Sequence, residues 1–211
     1  MTTRRTLLAG AGLAGAVLAT AARPARAQPD LGELQGFEPL LTGRGRPGRW
    51  AVVPDASAEG GRAMAQLDAD PVDYRFPLLA WRGLLVADVE ASVRFKAVSG
   101  RGDRAGGLAV RVADANTYVV VRANALEDNV RLYRVVRGGR QQFAGADVRV
   151  PPGEWHTLGL RADGDRFTVT FNRRELFTAR DPAIAGPGRV ALWTKADSVT
   201  WFSGLAVRAL R

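Results

Sequence analysis

The chain has no cysteine. That excludes disulfide staples, a thiol nucleophile and a lipid-anchored cysteine, so stability has to come from a buried apolar core. It has one histidine, His156 in "EWHTL". Common metal sites gather several His, Cys or carboxylate ligands, and a lone histidine after a Pro-Gly turn reads as structural. No Asp/Asn-dense loop with calcium-binding spacing occurs, so no cofactor is expected, with a structural calcium ion left open. Lysine is nearly absent: Lys96 and Lys195 are the only two, and arginine carries the remaining positive charge. These arginines are scattered along alternating segments and form no basic footprint, which argues against nucleic acid as a partner. An arginine that alternates with valine reads as a solvated strand face. There is no G-x-S-x-G elbow for a serine hydrolase.

Beyond residue 27 there is no long apolar run, so no stable membrane anchor is expected. The first 27 residues differ from the rest. Arg4 and Arg5 precede an apolar stretch from Leu7 to Ala22, and Ala25 and Ala27 form a small-x-small ending. This is the pattern of a cleaved signal peptide with Gln28 as the new N-terminus, and T-R-R-x-L-L resembles the twin-arginine export signal. A periplasmic or secreted protein is expected. Four arginines of the net charge of +9 belong to this segment, so the remainder is less basic than the whole. Residues 28–49, with "GRGRPGRW", read as a loop-rich entry, and residues 50–211 as one domain.

A period of two dominates that domain. "DVEASVRFKAV" places Val89, Ala91, Val93, Phe95 and Ala97 on one side, with Asp88, Glu90, Ser92, Arg94 and Lys96 on the other. The pattern recurs in "GLAVRVAD", "TYVVVRAN", "NVRLYRVV", "WHTLGLRAD", "RFTVTFN", "RVALWTK", "VTWF" and "LAVRAL", separated by Gly, Pro and Asp turns. Nothing holds a helical period. Some eleven or twelve strands fit, more than an immunoglobulin-type sandwich uses, and an all-β antiparallel two-sheet jelly roll is the better match.

Two of these segments form a hairpin around "RANALEDNVR". With Asn124 opposite Asn129, antiparallel pairing sets Arg122 against Arg131, Val120 against Tyr133 and Tyr118 against Val135. Val119, Val121, Ala123, Val130 and Leu132 then form a core side. The other side carries Tyr118, Arg122, Asn124, Asn129, Arg131 and Tyr133, with Glu127 and Asp128 at the turn. Two opposed arginines repel unless a carboxylate or a ligand lies between them, which assigns a role to Glu127 or to an external anion or polyol. Rings beside amide and guanidinium groups suit sugar recognition; a solvated outer face with arginines paired to neighbouring acids is the alternative. Asp88 and Glu90, two residues apart on one strand, are about 6 to 7 Å apart at a rise of about 3.3 Å per residue. Glycoside cleavage uses carboxyl pairs roughly 5 to 9.5 Å apart, so this pair is a catalytic candidate beside Glu127.

The succession "GRPGRW", "DYRFPL", "DVEASVRFKA", "GGLAVRVADANTYVVVRANALEDNVRLYRVVRGGR", "EWHTLGLRADGDRFTVTFN" and "GRVALWTKADSVTWFSGLAV" resembles the concanavalin A-like, laminin-G-type jelly rolls. It is most similar to those labelled 3-keto-disaccharide hydrolase or family 16 glycoside hydrolase-like, with R-x-N-x-x-E-x-N-x-R-x-Y the most specific part. The E-x-D-x-x-E motif of family 16 itself is missing. The resemblance implies an oligosaccharide or glycan as ligand, held on the hairpin face with Trp193, Lys195 and Asp197 of "LWTKAD" as neighbours. Three functions follow as expectations: a non-catalytic carbohydrate-binding domain; an enzyme that cleaves glycosides, those of keto-sugars among them, with Glu127 as base; or a structural, protein-binding laminin-G-type envelope domain.

Overall fold

In a computed structural model of the chain the described residues are 34–210, and the signal-peptide expectation lies outside them. They form fourteen strands: β1 Phe37–Gly43, β2 Trp50–Pro54, β3 Arg62–Gln66, β4 Arg75–Trp81, β5 Val89–Ser99, β6 Ala105–Asp114, β7 Thr117–Asn124, β8 Asn129–Val136, β9 Gly139–Asp147, β10 Trp155–Asp163, β11 Arg166–Phe171, β12 Arg174–Arg180, β13 Arg189–Thr194 and β14 Val199–Ala209. They make two antiparallel seven-stranded sheets, ordered β1-β4-β13-β6-β7-β8-β9 and β12-β11-β10-β5-β14-β3-β2. This is the expected all-β sandwich. Among the described residues no helix is long and apolar enough to cross a membrane.

The alternating segments supply the core between the sheets. Val89, Ala91, Val93, Phe95 and Ala97 of β5 meet Val119, Val121, Ala123, Val130 and Leu132 of the β7–β8 hairpin in one buried cluster. The strands beyond the expected number lack clean alternation. β4 is buried over nearly its whole length and reads as a continuous apolar run; β9 and β12 are edge strands with mixed exposure. β1 lies inside the stretch read as loop-rich. "VTWF" and "LAVRAL" are one strand, β14, whose register shifts between Ser203 and Ala206 around Gly204 at φ 59°. A glycine accepts that left-handed conformation without a Cβ penalty.

The sheet that carries the hairpin is rolled. β1 and β7 are four strands apart in it, about 19 Å on a flat sheet at about 4.8 Å per strand. Yet the Thr42 hydroxyl of β1 lies 2.8 Å from the Tyr118 hydroxyl of β7, and Thr42 also donates to the Ala115 carbonyl. The Tyr74 hydroxyl, just before β4, donates to the Gly138 carbonyl at 2.7 Å in the β8–β9 turn. Rolling encloses a second apolar cluster on the concave side, including Phe76, Leu78, Ala109, Tyr118, Val120, Tyr133 and Trp193.

The reading of strand arginines as a solvated face is corrected at three places. Arg75, Arg111 and Arg122 are 0%, 1% and 5% exposed. Arg75 donates to the carbonyls of Arg46, Ala196, Pro47 and Asp68 and to the Asp68 carboxylate. Arg111 sits at φ 53° where the β6–β7 register shifts, and donates to the carbonyls of Ala87, Ile184 and Gly164. The guanidinium fork satisfies several loop carbonyls at once, which is why arginine rather than lysine serves inside the molecule.

Candidate functional site

The hairpin pairs in the expected register: Tyr118 with Val135, Val120 with Tyr133, Arg122 with Arg131, and Asn124 with Asn129. Its polar side is not solvated. Tyr118, Asn124, Asn129 and Tyr133 are 0%, 1%, 6% and 7% exposed, so their polar atoms need partners.

Those partners resolve the opposed arginines. Arg122 donates to Glu127 at 2.7 Å, Asn129 at 2.7 Å and Tyr133 at 3.3 Å, while Arg131 turns away to Asp147 at 2.6 Å. Asn129 also donates to Glu127 at 3.1 Å. Carboxylates therefore intervene, one for each arginine. Arg131 packs against Gly145 on the β9 side, where a Cβ would meet its Cδ at 2.5 Å. Asp128, also at the turn, is structural: its carboxylate accepts the Val150 amide at 2.8 Å.

Two further polar groups join Arg122 and Glu127. Asn124 donates to the Asp103 carboxylate at 3.1 Å, and Lys195 bridges Asp103 at 2.8 Å and Asp73 at 2.6 Å. Asp197 positions this arrangement: its carboxylate accepts the amides of Arg101, Gly102 and Asp103 at 2.7, 3.0 and 2.8 Å, which fixes the loop carrying Asp103. Burial pushes the Asp103 carboxyl up, against the pull of Lys195. Burial acts in the same sense on Glu127, but hydrogen bonds from Arg122 and Asn129 outweigh it and hold Glu127 below its ordinary value. Glu127 is half-exposed, at 47% of its side chain, and stays ionised. Its folded form binds a proton less readily than the unfolded chain does. The interaction therefore stabilises above pH 4.5, and that contribution is lost as pH falls through the lower folded value. In Arg122→Met the Glu127 midpoint is expected to rise, read by carboxyl-carbon NMR titration; an unchanged midpoint would show that Arg122 does not hold it.

Four of the expected site residues lie elsewhere. Tyr118 and Trp193 are fully buried in the concave cluster. The Trp193 indole donates to the Tyr118 hydroxyl at 3.3 Å and its ring stacks on Phe76 at 5.3 Å, so neither residue presents a face to a ligand. Burial pushes the Tyr118 phenol up to about 12, and it remains a neutral hydroxyl. Asp88 precedes β5; it accepts the Gly164 amide at 2.8 Å and meets Arg111 at 3.4 Å. Glu90 pairs with Arg161 at 3.6 Å and with Arg208 on the outer face of the other sheet. Asp88 meets Arg111 at one end of β6, whereas the hairpin turn lies beyond Ala105 at its other end, paired with Asn124. Ala105 and Arg111 are about 20 Å apart along the strand at about 3.3 Å per residue. Asp88 and Glu90 are struts, and they do not converge with Glu127.

Sequence reasoning missed Asp103, Asp73 and Arg140. Asp103 sits in "SGRGDRAGG", which carries only turn signals. The Arg140 guanidinium lies 4.7 Å from the Phe76 ring centre and 4.5 Å from that of Tyr133. His156 is occupied structurally, with its ring bonded to the Pro151 carbonyl at 2.9 Å and the Asn172 amide at 3.3 Å and stacked on Phe171. Among the described residues no three His, Asp or Glu side chains are grouped to hold a metal ion.

No family model matches the chain, and no curated protein matches it. Solved structures do. The carbohydrate-binding module CBM66 from Bacillus subtilis superposes with a TM-score of 0.67 at 19% identity, over 82% of this chain and 96% of that one. A β-glucanase of Bacillus licheniformis gives 0.57 at 11% identity, over 91% and 100%. The carbohydrate recognition domain of Emp46p gives 0.55 at 11% identity, over 86% and 92%. At these identities the likeness shows the fold, a concanavalin A-like jelly roll.

Proposed function

We propose that this jelly roll binds carbohydrate at the rim of the rolled sheet, through Arg122, Glu127, Asn129 and Lys195, with Asp103 holding Lys195 in place from beneath. The observation that carries the reading is the half-exposed Glu127 carboxylate, held ionised by the buried Arg122 and Asn129. A fixed acceptor beside fixed donors matches the paired hydroxyls of a sugar, and preorganised groups lose little entropy on binding. The jelly-roll neighbours named for carbohydrate binding support the same class of ligand.

Cleavage of keto-sugar glycosides is a second reading, with the half-exposed Glu127 as the carboxylate a substrate can reach. A proton next to a ketone is acidic enough for a single base to remove, and the electron pair then expels the glycosidic oxygen. Asp103 is 1% exposed and bound to Asn124 and Lys195, so it positions those groups and does not touch a substrate. Export belongs to the same proposal and places the protein in the periplasm or outside the cell.

Native mass spectrometry of the protein recovered from the extracytoplasmic fraction, mixed with oligosaccharides that include 3-keto disaccharides, tests all three points. The expected spectrum shows a chain starting at Gln28 with glycan adducts that weaken in Glu127→Gln. Cleavage products that vanish in Glu127→Gln would establish the second reading. Neither adducts nor products would return weight to a structural, protein-binding domain.

A further inference from the structure

The hydrogen bonds of the site do not close within the protein. Arg122 has Glu127, and Lys195 has both Asp103 and Asp73. Arg140 is different: among the described residues no carboxylate comes within ion-pair distance of it, and its side chain makes no hydrogen bond. Its Nη1 is covered and without an acceptor. The rings of Phe76 and Tyr133 hold the guanidinium at 4.7 and 4.5 Å, which fixes it without satisfying its N–H groups. Tyr133 is shared, with the Arg122 guanidinium 5.8 Å from the same ring centre. Arg122, itself 5% exposed, has an unpartnered Nε as well. An unsatisfied donor on a cation shielded from water is destabilising, and Arg140, the less buried of the two, gains from an acceptor that arrives with the ligand.

We propose that the ligand is an acidic glycan, and that the carboxylate of a uronic acid residue is taken by Arg140 while its hydroxyls engage Arg122 and Glu127. This rests on the carbohydrate reading above and names its substrate class. The chemistry points to a carboxylate because its two coplanar oxygens match the flat donor edge of a guanidinium whose faces are covered by rings. The nearest compensating carboxylate, Asp73, feels the Arg140 charge but is bound directly to Lys195, so the guanidinium edge itself has no carboxylate on it. Glu127, already paired with Arg122, repels a carboxylate placed on its own side of Tyr133, which sets the orientation: acid toward β9, hydroxyls toward the β7–β8 turn.

The test is calorimetric titration of the protein with an oligouronate and with the same oligosaccharide after its carboxyl groups have been reduced to alcohols. The uronate is expected to bind at least tenfold more tightly, and the difference to shrink with added salt. Arg140→Met is expected to lose the preference and keep the weaker neutral binding. If that variant does not fold, the arginine side-chain NMR signals of the unaltered protein decide: the Arg140 resonance is expected to shift with the uronate and not with its reduced form. Equal binding of the pair, an unmoved Arg140 signal, or tighter binding of a sulfated glycan would overturn the acidic-sugar inference and leave carbohydrate binding standing. No binding of any glycan would overturn both.

Discussion

Arg122→Met is expected to weaken glycan binding by about thirtyfold or more, while the protein keeps its sheets. Arg122 is the one side chain that touches Glu127, Asn129 and Tyr133 together. Its removal frees Glu127 from its fixed position and takes away the donor facing the ligand. Loss of a charge-assisted partner at a binding centre costs about 2–4 kcal/mol, which converts to roughly thirty- to a thousandfold. The Val119, Val121, Ala123, Val130 and Leu132 side of the hairpin is untouched by the change, so far-ultraviolet circular dichroism should stay that of an all-β protein. Retained affinity in a folded variant would move the site off the hairpin.

The largest stability effect is expected at Arg75→Met, a loss of about 3–5 kcal/mol. Arg75 is fully buried, and its guanidinium closes three loops at once through the carbonyls of Arg46 and Pro47, of Asp68, and of Ala196. Methionine fills much of the volume but donates nothing, so the carbonyls of Arg46, Pro47 and Ala196 lose this donor, while Asp68 keeps Arg46 and Gln66. At about 2–4 °C per kcal/mol for a domain of this size, the melting temperature should fall by roughly 6 to 20 °C, read by calorimetry. A fall of less than 2 °C would mean that water replaces the guanidinium. The variant also links stability to the site. The Ala196 carbonyl lies between Lys195 and Asp197, so loosening that segment should weaken the hold on Asp103 before the whole domain melts.

The fold was legible where the letters alternate. β5, β10 and β11 bury one face against the opposite sheet and leave the other more open, while β7 and β8 alternate in residue type but bury both faces. The hairpin register followed from symmetry around a four-residue turn, and it brought Arg122, Glu127, Asn129 and Tyr133 together correctly. What stayed hidden depends on how the sheet rolls. β1 and β4 close over the concave side, and β4 is apolar from Phe76 to Trp81, so it announces neither its partners nor its faces. That closure turns a face expected to meet a ligand or solvent into a second core. It buries Tyr118 and Trp193 and leaves only the hairpin rim open. The arginines were misread for a related reason: one letter serves for a surface charge such as Arg161 and for a buried clamp such as Arg75, and only the loops that arrive around it decide. Asp103 comes from a loop held in place by a residue 94 positions away, Asp197, a pairing no local pattern encodes.

The most direct measurement is a ¹H–¹⁵N NMR titration of the protein with neutral and acidic oligosaccharides, following backbone and arginine side-chain signals. The account predicts shifts concentrated at Arg122, Glu127, Asn129 and Tyr133, continuing to Asp103, Lys195 and Arg140, with the opposite sheet quiet. Shifts centred on Trp155 and Trp201 of that opposite sheet, or none with any sugar, would contradict it.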